Sequence, residues 1–420
     1  MPTFRLATLG CKVNQYETQY VREGLMLLGY EPAKAGEPAD LCFVNTCTVT
    51  NEGDLKSRKA IRKFGRQNPN AEIIVAGCYA SRSPEDLATL PNVAEVIQDK
   101  ADLPDFLRRR GLLAPPDGIE SFGPRQRAYV KVQDGCRQYC TYCIIPTVRP
   151  VLRSRPIEAV LRELDSLLEN GCREIVLTGI HLGHYGKDIE DSSVNLDRLV
   201  ERLVEQDASV DFRLRLSSLE AVEVSDRLLE LMRDHPDRIC PHLHLSMQSG
   251  SDSVLERMGR RWPRGRFIEH CLRAKELLNR PAMTTDIIVG FPGETEAEFL
   301  ETCDAAREVG FSKIHIFRFS PRDGTPAAEM SDQIEPSVKQ DRAKRLAVLE
   351  EELRHEYFEQ LVGGHVQVLI ERTLRDRPGY VAGTSDRYAT VVLPGGMQDV
   401  GRLVNVEVVR RESDRLLGER

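Results

Sequence analysis

No apolar stretch in the chain is long enough to span a bilayer, and the opening residues, MPTFRLATLGCKVNQ, carry neither the basic start nor the unbroken apolar run of a secretory signal. A cytoplasmic protein with no membrane partner is therefore expected. An excess of positive charge is also missing. The formal net charge is −7, which speaks against a nucleic-acid partner wherever charge is spread evenly. Eleven cysteines in a chain without an export signal argue for reduced thiols, metal ligands or catalysis rather than a disulfide framework. At 420 residues the chain has room for two or three domains.

What is present is organised around one loop, Gly135-Cys136-Arg137-Gln138-Tyr139-Cys140-Thr141-Tyr142-Cys143, which reads C-x3-C-x2-C. No fourth cysteine follows nearby, so a four-iron cluster held here would keep one iron open to a ligand that is not protein. Structural zinc wants four protein ligands; three buried structural cysteines are the plainer alternative. The spacing, with Tyr139 and Tyr142 between the thiols, resembles the loop of the radical S-adenosylmethionine (SAM) enzymes. That resemblance implies SAM chelated to the open iron through its amino and carboxylate groups and cleaved reductively to a 5′-deoxyadenosyl radical.

Short β-branched runs at Phe4 to Leu9, Leu41 to Val44 and Ile73 to Ala76 each lead into a turn carrying a cysteine: Cys11, Cys47 and Cys78. About one helix separates them, which predicts three βαβ repeats of a parallel sheet. Ligands of such sheets sit at the carboxyl ends of the strands, so these three thiols are expected to converge and to leave a second cluster one ligand short. Unrelated cysteines that happen to end strands are the alternative. Between two of these strands, Lys56 to Arg66 holds six basic and no acidic side chains. On a helix Lys56, Lys59, Lys63 and Arg66 share one face, with Arg58 and Arg62 beside it. Such a run is either a solvated face or a phosphate-backbone contact through Lys56, Arg58, Lys59, Arg62 and Lys63.

Gly111 to Gly118 is a Pro/Gly-rich linker and Ser121 to Arg125 has no pattern, which places a domain boundary there. Beyond it, strand-like runs at Ala128 to Val132, Glu174 to Leu177, Phe212 to Leu216, Pro241 to Leu245, Thr284 to Val289 and Lys313 to Phe317 are mostly separated by helical segments such as Ile157 to Glu169 and Glu294 to Val309. This predicts an incomplete (β/α)6 barrel with the cysteine loop after its first strand, on the face where barrel chemistry is sited. The remaining strand ends are polar or glycine-rich and form a cup suited to a bulky polar cofactor. His181, His184, His242 and His244 read as packed or hydrogen-bonded barrel residues rather than metal ligands. Cys42, Cys172, Cys240, Cys271 and Cys303 read as small hydrophobes. Ser337 to Leu361 is one long helix. After it, His365 to Ile370, Gly379 to Thr384, Ala389 to Leu393 and Val404 to Val409 predict a small β-barrel of the kind that binds nucleic acid. Its nine Arg against eight acidic side chains do not by themselves establish RNA binding.

With these residues in place, nearly the whole chain resembles the methylthiotransferase family of radical SAM enzymes: an N-terminal parallel α/β sheet domain at 1–112, a radical SAM core at 122–358 and a C-terminal TRAM β-barrel at 360–420. The resemblance rests on Gly10-Cys11, Asn45-Thr46-Cys47, Gly77-Cys78 and then Cys136, Cys140 and Cys143. Asn45 to Thr50, Lys56-Ser57-Arg58 and Leu177 to Ile180 look most like the branch that acts on N6-threonylcarbamoyladenosine in tRNA. It implies a 4Fe-4S cluster on each trio, two SAM per turnover, and a methylthio group inserted at C2 of that nucleoside in the tRNA anticodon stem-loop. An electron donor of flavodoxin or ferredoxin type is implied as well. Tyr142, Thr178, Gly179, Ser217, Gln248 and Asp286 are the expected SAM-facing residues. One departure stands out: the Gly-Gly-Glu with which many radical SAM enzymes hold the SAM amine is replaced here by Thr178-Gly179. The carboxylate of the nucleoside calls for an arginine able to hold it bidentately; Arg149, Arg153 and Arg155, soon after the cysteine loop, are the candidates. Relatives act instead on isopentenylated adenosine in tRNA or on a ribosomal protein. A radical SAM RNA methyltransferase would need a further nucleophilic thiol, and Cys240, Cys271 and Cys303 lack activating neighbours. A non-catalytic iron–sulfur RNA-binding protein is the other alternative.

Overall fold

The computed structural model describes residues 1–123, 125–207 and 210–420; Pro124, within the patternless stretch Ser121 to Arg125, and Ala208 and Ser209 lie outside the described residues. Strands β1 (Thr3–Thr8), β2 (Glu31–Pro32), β3 (Leu41–Thr46), β4 (Glu72–Gly77) and β5 (Val93–Val96) form a parallel sheet in the order β2-β1-β3-β4-β5. β3 is buried at every residue, as a central parallel strand covered on both faces must be. Phe43 and Ile74 pack with Tyr16, Val21 and Leu25 of helix α1 (Lys12–Leu27), while the alternating Cys42, Val44, Ile73 and Val75 pack with Ile61 of helix α2 (Asn51–Gln67). The two-residue β2 and the half-exposed β5 are edge strands too short to leave an alternation, and neither was expected.

Strands β6 (Arg127–Asp134), β8 (Glu174–Gly179) and β9 (Arg213–Leu216) run parallel, with the short β7 (Arg153–Ser154) antiparallel on β6. β10 (His242–His244), β11 (Ala282–Val289) and β12 (Lys313–Arg318) continue in parallel, and the Leu214–Ile239 and Leu219–Leu245 bridges join the two groups. Among the described residues no pairing joins β12 to β6, so the six parallel strands form an open (β/α)6 barrel. Ala128, Val130 and Leu177 of this barrel share one continuous core with Phe43 of the sheet and Tyr16 of α1.

The helix Pro336–Leu361 joins two cores: Leu346, Leu349 and Leu353 face the barrel, while Tyr357, Phe358 and Leu361 enter the core of the C-terminal unit. There β13 (His365–Thr373), β14 (Tyr380–Ser385), β15 (Thr390–Pro394), β16 (Leu403–Glu412) and β17 (Arg415–Glu419) close into a barrel in the order β13-β14-β15-β17-β16. Its seam against the larger barrel is built on Glu174. That fully buried carboxylate accepts from Arg127, Arg213 and Arg215, each Nε at 2.8 Å. Arg213 and Arg215 pass their remaining N–H groups to the carbonyls of Gln367, Thr384, Ser385 and Asp386. Burial opposes the Glu174 charge, yet the surrounding guanidinium groups hold its carboxyl well below the usual range.

Candidate active site

Sheet register places the first set of thiols. Thr8 pairs with Asn45 and Thr46 with Gly77, so Cys11, Cys47 and Cys78, just beyond those residues, emerge at one edge. Burial pushes the half-buried Cys47 thiol up with Cys78 adding to it, and Cys78 also raises the exposed Cys11. The backbone is shaped to let them meet. Gly77 lies at φ +98°, where an added Cβ would overlap the Thr46 backbone, and a Cβ on Gly10 would stand 3.1 Å from Cys47 Sγ. Thr50 caps α2 by accepting from the Gly53 N–H at 3.1 Å, and Ser57 Oγ accepts from the Cys47 N–H at 3.2 Å. Thr48 donates to Asp54 at 2.6 Å, which also receives Arg322 from beyond β12 at 2.6 Å. Thr48 and Thr50 are thus spent inside the protein.

The second set lies on the loop after β6. The Cys136 N–H donates to the Arg149 carbonyl at 3.1 Å, Cys143 N–H to Cys140 O at 3.0 Å, and Thr141 N–H to Met258 O at 2.9 Å. Burial pushes the Cys143 thiol up to about 12. Arg260 donates to Cys140 Sγ at 3.5 Å, to the Ser246 carbonyl at 2.9 Å and to Glu220, which also accepts from Trp262 Nε1 at 3.1 Å. His181 Nδ1 stands 3.7 Å from Cys136 Sγ, and its Nε2 is 2.6 Å from Glu223. Burial disfavours the His181 charge, but those two hydrogen bonds outweigh it and push the ring up to about 9.

All eleven cysteines are free. Among the described residues, the groups whose ligand atoms lie within 4.8 Å of one another are His181, His184 and Glu223, and His244, Asp286 and His315. Neither cysteine trio is that tight. Wider thiols with no disulfide and a glycine-shaped cradle fit a multi-iron cluster better than a single zinc ion.

Arg149 joins the two sets. Its Nε donates to Cys78 Sγ at 3.3 Å, while its carbonyl holds Cys136. Its Nη1 reaches Glu17 at 2.9 Å and Asp134 at 2.8 Å, and its Nη2 reaches Asn14 and Glu17 at 3.1 Å each. Lys131 completes the network with Glu17 at 3.2 Å and Asp134 at 3.0 Å. This corrects the expectation that Arg149 holds a substrate carboxylate: it is 4 % exposed and its N–H groups are taken. Arg155 is corrected likewise, since Glu163, Tyr16 and the Lys131 and Asp117 carbonyls occupy it. Arg153 is half exposed but forks onto Asp99 at 2.7 and 3.2 Å.

Around the barrel mouth, Tyr142 packs edge-on against Phe291 at 6.5 Å. Thr178 is buried, Gly179 backs onto the Gln133 side chain, and the buried Ser217 Oγ has no hydrogen-bond partner among the described residues. Gln248 sits at φ +66°, its backbone bonded to Asp286 and Ile288; Asp286 faces His244 Nε2 at 3.4 Å. On α2, Lys56, Lys59, Arg62 and Lys63 are exposed, while Arg58 donates to Tyr79 Oη at 2.6 Å and lies over its ring. Arg260 and Arg322 are not foreseeable from their own neighbourhoods; only the fold brings them to Cys140 and to Asp54.

Sequence profiles of the Radical SAM superfamily and of Uncharacterized protein family UPF0004 match residues 130–306 and 3–98. The solved radical S-adenosylmethionine methyltransferase TsrM from Kitasatospora setae shares the fold, with a TM-score of 0.56 at 13% identity over 78% of this chain and 75% of that one. An open barrel with three thiols on its first loop is therefore the core of a radical SAM enzyme. Curated relatives are closer. Threonylcarbamoyladenosine tRNA methylthiotransferase MtaB of Bacillus subtilis is 39% identical over 98% of this chain and 94% of its own length, and its namesake in Thermotoga maritima is 38% identical over 88% and 87%. A tRNA-2-methylthio-N(6)-dimethylallyladenosine synthase of Moorella thermoacetica is 32% identical over 99% and 98%. The chain belongs to the methylthiotransferase family of radical SAM enzymes, transferases that use SAM and iron–sulfur chemistry.

Proposed function

We propose that this enzyme inserts a methylthio group at C2 of N6-threonylcarbamoyladenosine in the tRNA anticodon stem-loop, with one 4Fe-4S cluster on Cys136, Cys140 and Cys143 and another on Cys11, Cys47 and Cys78. The observation that carries this reading is Arg149, which ties Cys78 on one element to Cys136 on another, so that one side chain and its backbone link the two thiol sets. The greater identity to the threonylcarbamoyladenosine enzymes than to the dimethylallyladenosine synthase supports the choice of nucleoside. When bound, the clusters and SAM supply the electron, the methyl group, the sulfur and the radical chemistry that amino-acid side chains lack.

The chain's part is to hold and to orient. Tyr142, Thr178, Gly179, Ser217, Gln248 and Asp286 form the wall for SAM, on which the Ser217 hydroxyl, without a partner among the described residues, offers a hydrogen bond to a polar cofactor. Lys56, Lys59, Arg62 and Lys63 present cations to the RNA backbone, and Arg58 steadies their helix against Tyr79. An unpaired anticodon loop suits a barrel mouth because its bases splay out without breaking a duplex. A flavodoxin- or ferredoxin-type protein is the electron donor in this scheme, and 1–112, 122–358 and 360–420 are its structural units. Mass spectrometry of tRNA nucleosides from cells with and without the gene tests the proposal. The 2-methylthio derivative of threonylcarbamoyladenosine should vanish in the deletion; its persistence together with loss of the isopentenyl analogue would reassign the substrate.

A further inference from the structure

The barrel lumen encloses about 280 Å³, near the small end of cavities that take small ligands. Arg127 and Arg215 are both committed to Glu174 at 2.8 Å, and Asp286 faces His244. Lys12, which lines the same cavity from the first turn of α1 beside Cys11, has no hydrogen bond or ion pair among the described residues. Burial, with a smaller contribution from the Lys12 charge, disfavours protonation of His242 and His315 beside it. Phe317, also in the cavity wall, leaves 50% of its surface uncovered.

A metal ion on His244, Asp286 and His315 is the competing occupant, since their ligand atoms lie within 4.8 Å of one another. The Lys12 ammonium, which lines the same cavity, repels a cation there. What the lumen leaves without a partner among the described residues is the Lys12 ammonium, and the cavity also offers an aromatic face of the kind on which unstacked bases lie.

We infer that Lys12 binds the carboxylate of the N6-threonylcarbamoyl group when the adenosine enters the lumen, with the base against Phe317. This rests on the proposed substrate and deepens it, placing the carboxylate anchor on the sheet domain, one residue from a thiol, rather than on Arg149, Arg153 or Arg155. Specificity arises from the same pairing. An ammonium paired with a carboxylate gains charge-assisted hydrogen bonds, whereas an isopentenyl group would cover the Lys12 charge with hydrocarbon and leave it unpaired.

The test uses full-length reconstituted enzyme and two anticodon stem-loop RNAs, one carrying threonylcarbamoyladenosine and one in which the threonyl carboxylate is a carboxamide. Wild-type enzyme should prefer the acid by about tenfold to a hundredfold, both in equilibrium binding read by fluorescence anisotropy and in kcat/KM. Lys12→Met should erase the preference and Lys12→Arg should restore most of it. Because binding is read without turnover, a weakened cluster at neighbouring Cys11 does not obscure the comparison. A wild-type enzyme indifferent to acid and amide overturns the pairing and gives the lysine to an RNA phosphate or to SAM, and so does a Lys12→Met variant that keeps the preference. An enzyme that methylthiolates isopentenyladenosine RNA and neither test RNA overturns the substrate reading itself, a separate and recognisable result.

Discussion

The two cysteine trios have the same content and opposite construction. Cys136, Cys140 and Cys143 lie on one loop, held by bonds that run within it and to Met258 and Arg149. Cys11, Cys47 and Cys78 come from three strand ends and meet only because β1, β3 and β4 pair in one register. A loop-borne site needs its local chain; a strand-end site needs the whole sheet, since a slip of one residue turns every side chain to the other face. Each trio also receives one arginine N–H, Arg260 on Cys140 and Arg149 on Cys78. Arg260 is answered by Glu220 inside the barrel alone, whereas Arg149 is answered by Glu17 from the sheet domain and Asp134 from the barrel. The distributed site is the one wired across the interface.

Removing one trio at a time breaks the comparison most sharply. Cys136→Ala with Cys140→Ala and Cys143→Ala should cost about half of the iron, four atoms per cluster, and abolish both SAM cleavage and methylthiolation. Cys11→Ala with Cys47→Ala and Cys78→Ala should cost the same iron and leave SAM cleavage in place while product formation stops. Iron assay and chromatography of 5′-deoxyadenosine read both. Loss of SAM cleavage in the second variant would show that the trios do not divide the work.

Arg149→Gln comes next. It leaves Glu17 and Asp134, with side chains 1% and 10% exposed, with Lys131 as their remaining cation among the described residues. Breaking one partner out of a buried ion network costs about 3–5 kcal/mol, read as a lowered denaturation midpoint, with Arg149→Lys losing less because the charge survives. The acid side of the stability curve carries a second signature. Although burial opposes it, Arg149 and Lys131 hold the Glu17 and Asp134 carboxyls below their ordinary range. Depressed carboxyls stabilise the fold above the unfolded range near pH 4, and that contribution is lost as pH falls toward the folded values. Wild type should therefore lose more stability than Arg149→Gln between about pH 6 and pH 3. Equal acid slopes would mean that the network is not held by Arg149.

Much of the framework is readable in the chain because its signals are local. Ile157–Glu169 carries apolar residues at helical spacing and folds as that helix. The second long helix starts at Glu296 rather than Glu294 because Thr295 and Glu298 form a capping box. The Arg149 network is not readable, since its partners Glu17 and Asn14 lie more than a hundred residues away and nothing beside Arg149 distinguishes it from Arg153 or Arg155. All three look like free cations in the sequence; folding gives each a carboxylate. The reverse happens at Lys12. It follows Cys11 without any pattern to mark it, and only the docking of α1 onto β6 and β8 brings it to the barrel lumen. Five or so strands are expected in the C-terminal unit, but the position of β17 is hidden for a third reason: Arg415–Glu419 has three buried residues in a row and no alternation.

The smallest effect sharpens a contrast along α2, between cations committed to the fold and cations left outside. Arg58 is tied to Tyr79, Lys56 pairs with Glu52 at 2.9 Å on the exposed first turns, and Lys59 and Lys63 are exposed with no ion pair among the described residues. An exposed pair such as Lys56 with Glu52 is worth about 0–1 kcal/mol, too little to withhold Lys56 from a phosphate, and Lys59 and Lys63 carry no such partner among the described residues. If both touch the tRNA backbone, Lys59→Gln with Lys63→Gln should reduce the slope of log affinity against log salt by about 0.7–0.9 for each phosphate that the lysines neutralise. Binding should weaken alike for modified and unmodified stem-loops, because an ammonium on a phosphate carries no base information. Arg58→Gln should instead lower the thermal midpoint and leave the salt slope nearly unchanged. A double lysine variant with wild-type slope would make α2 a solvated face and move the RNA footprint to the C-terminal barrel.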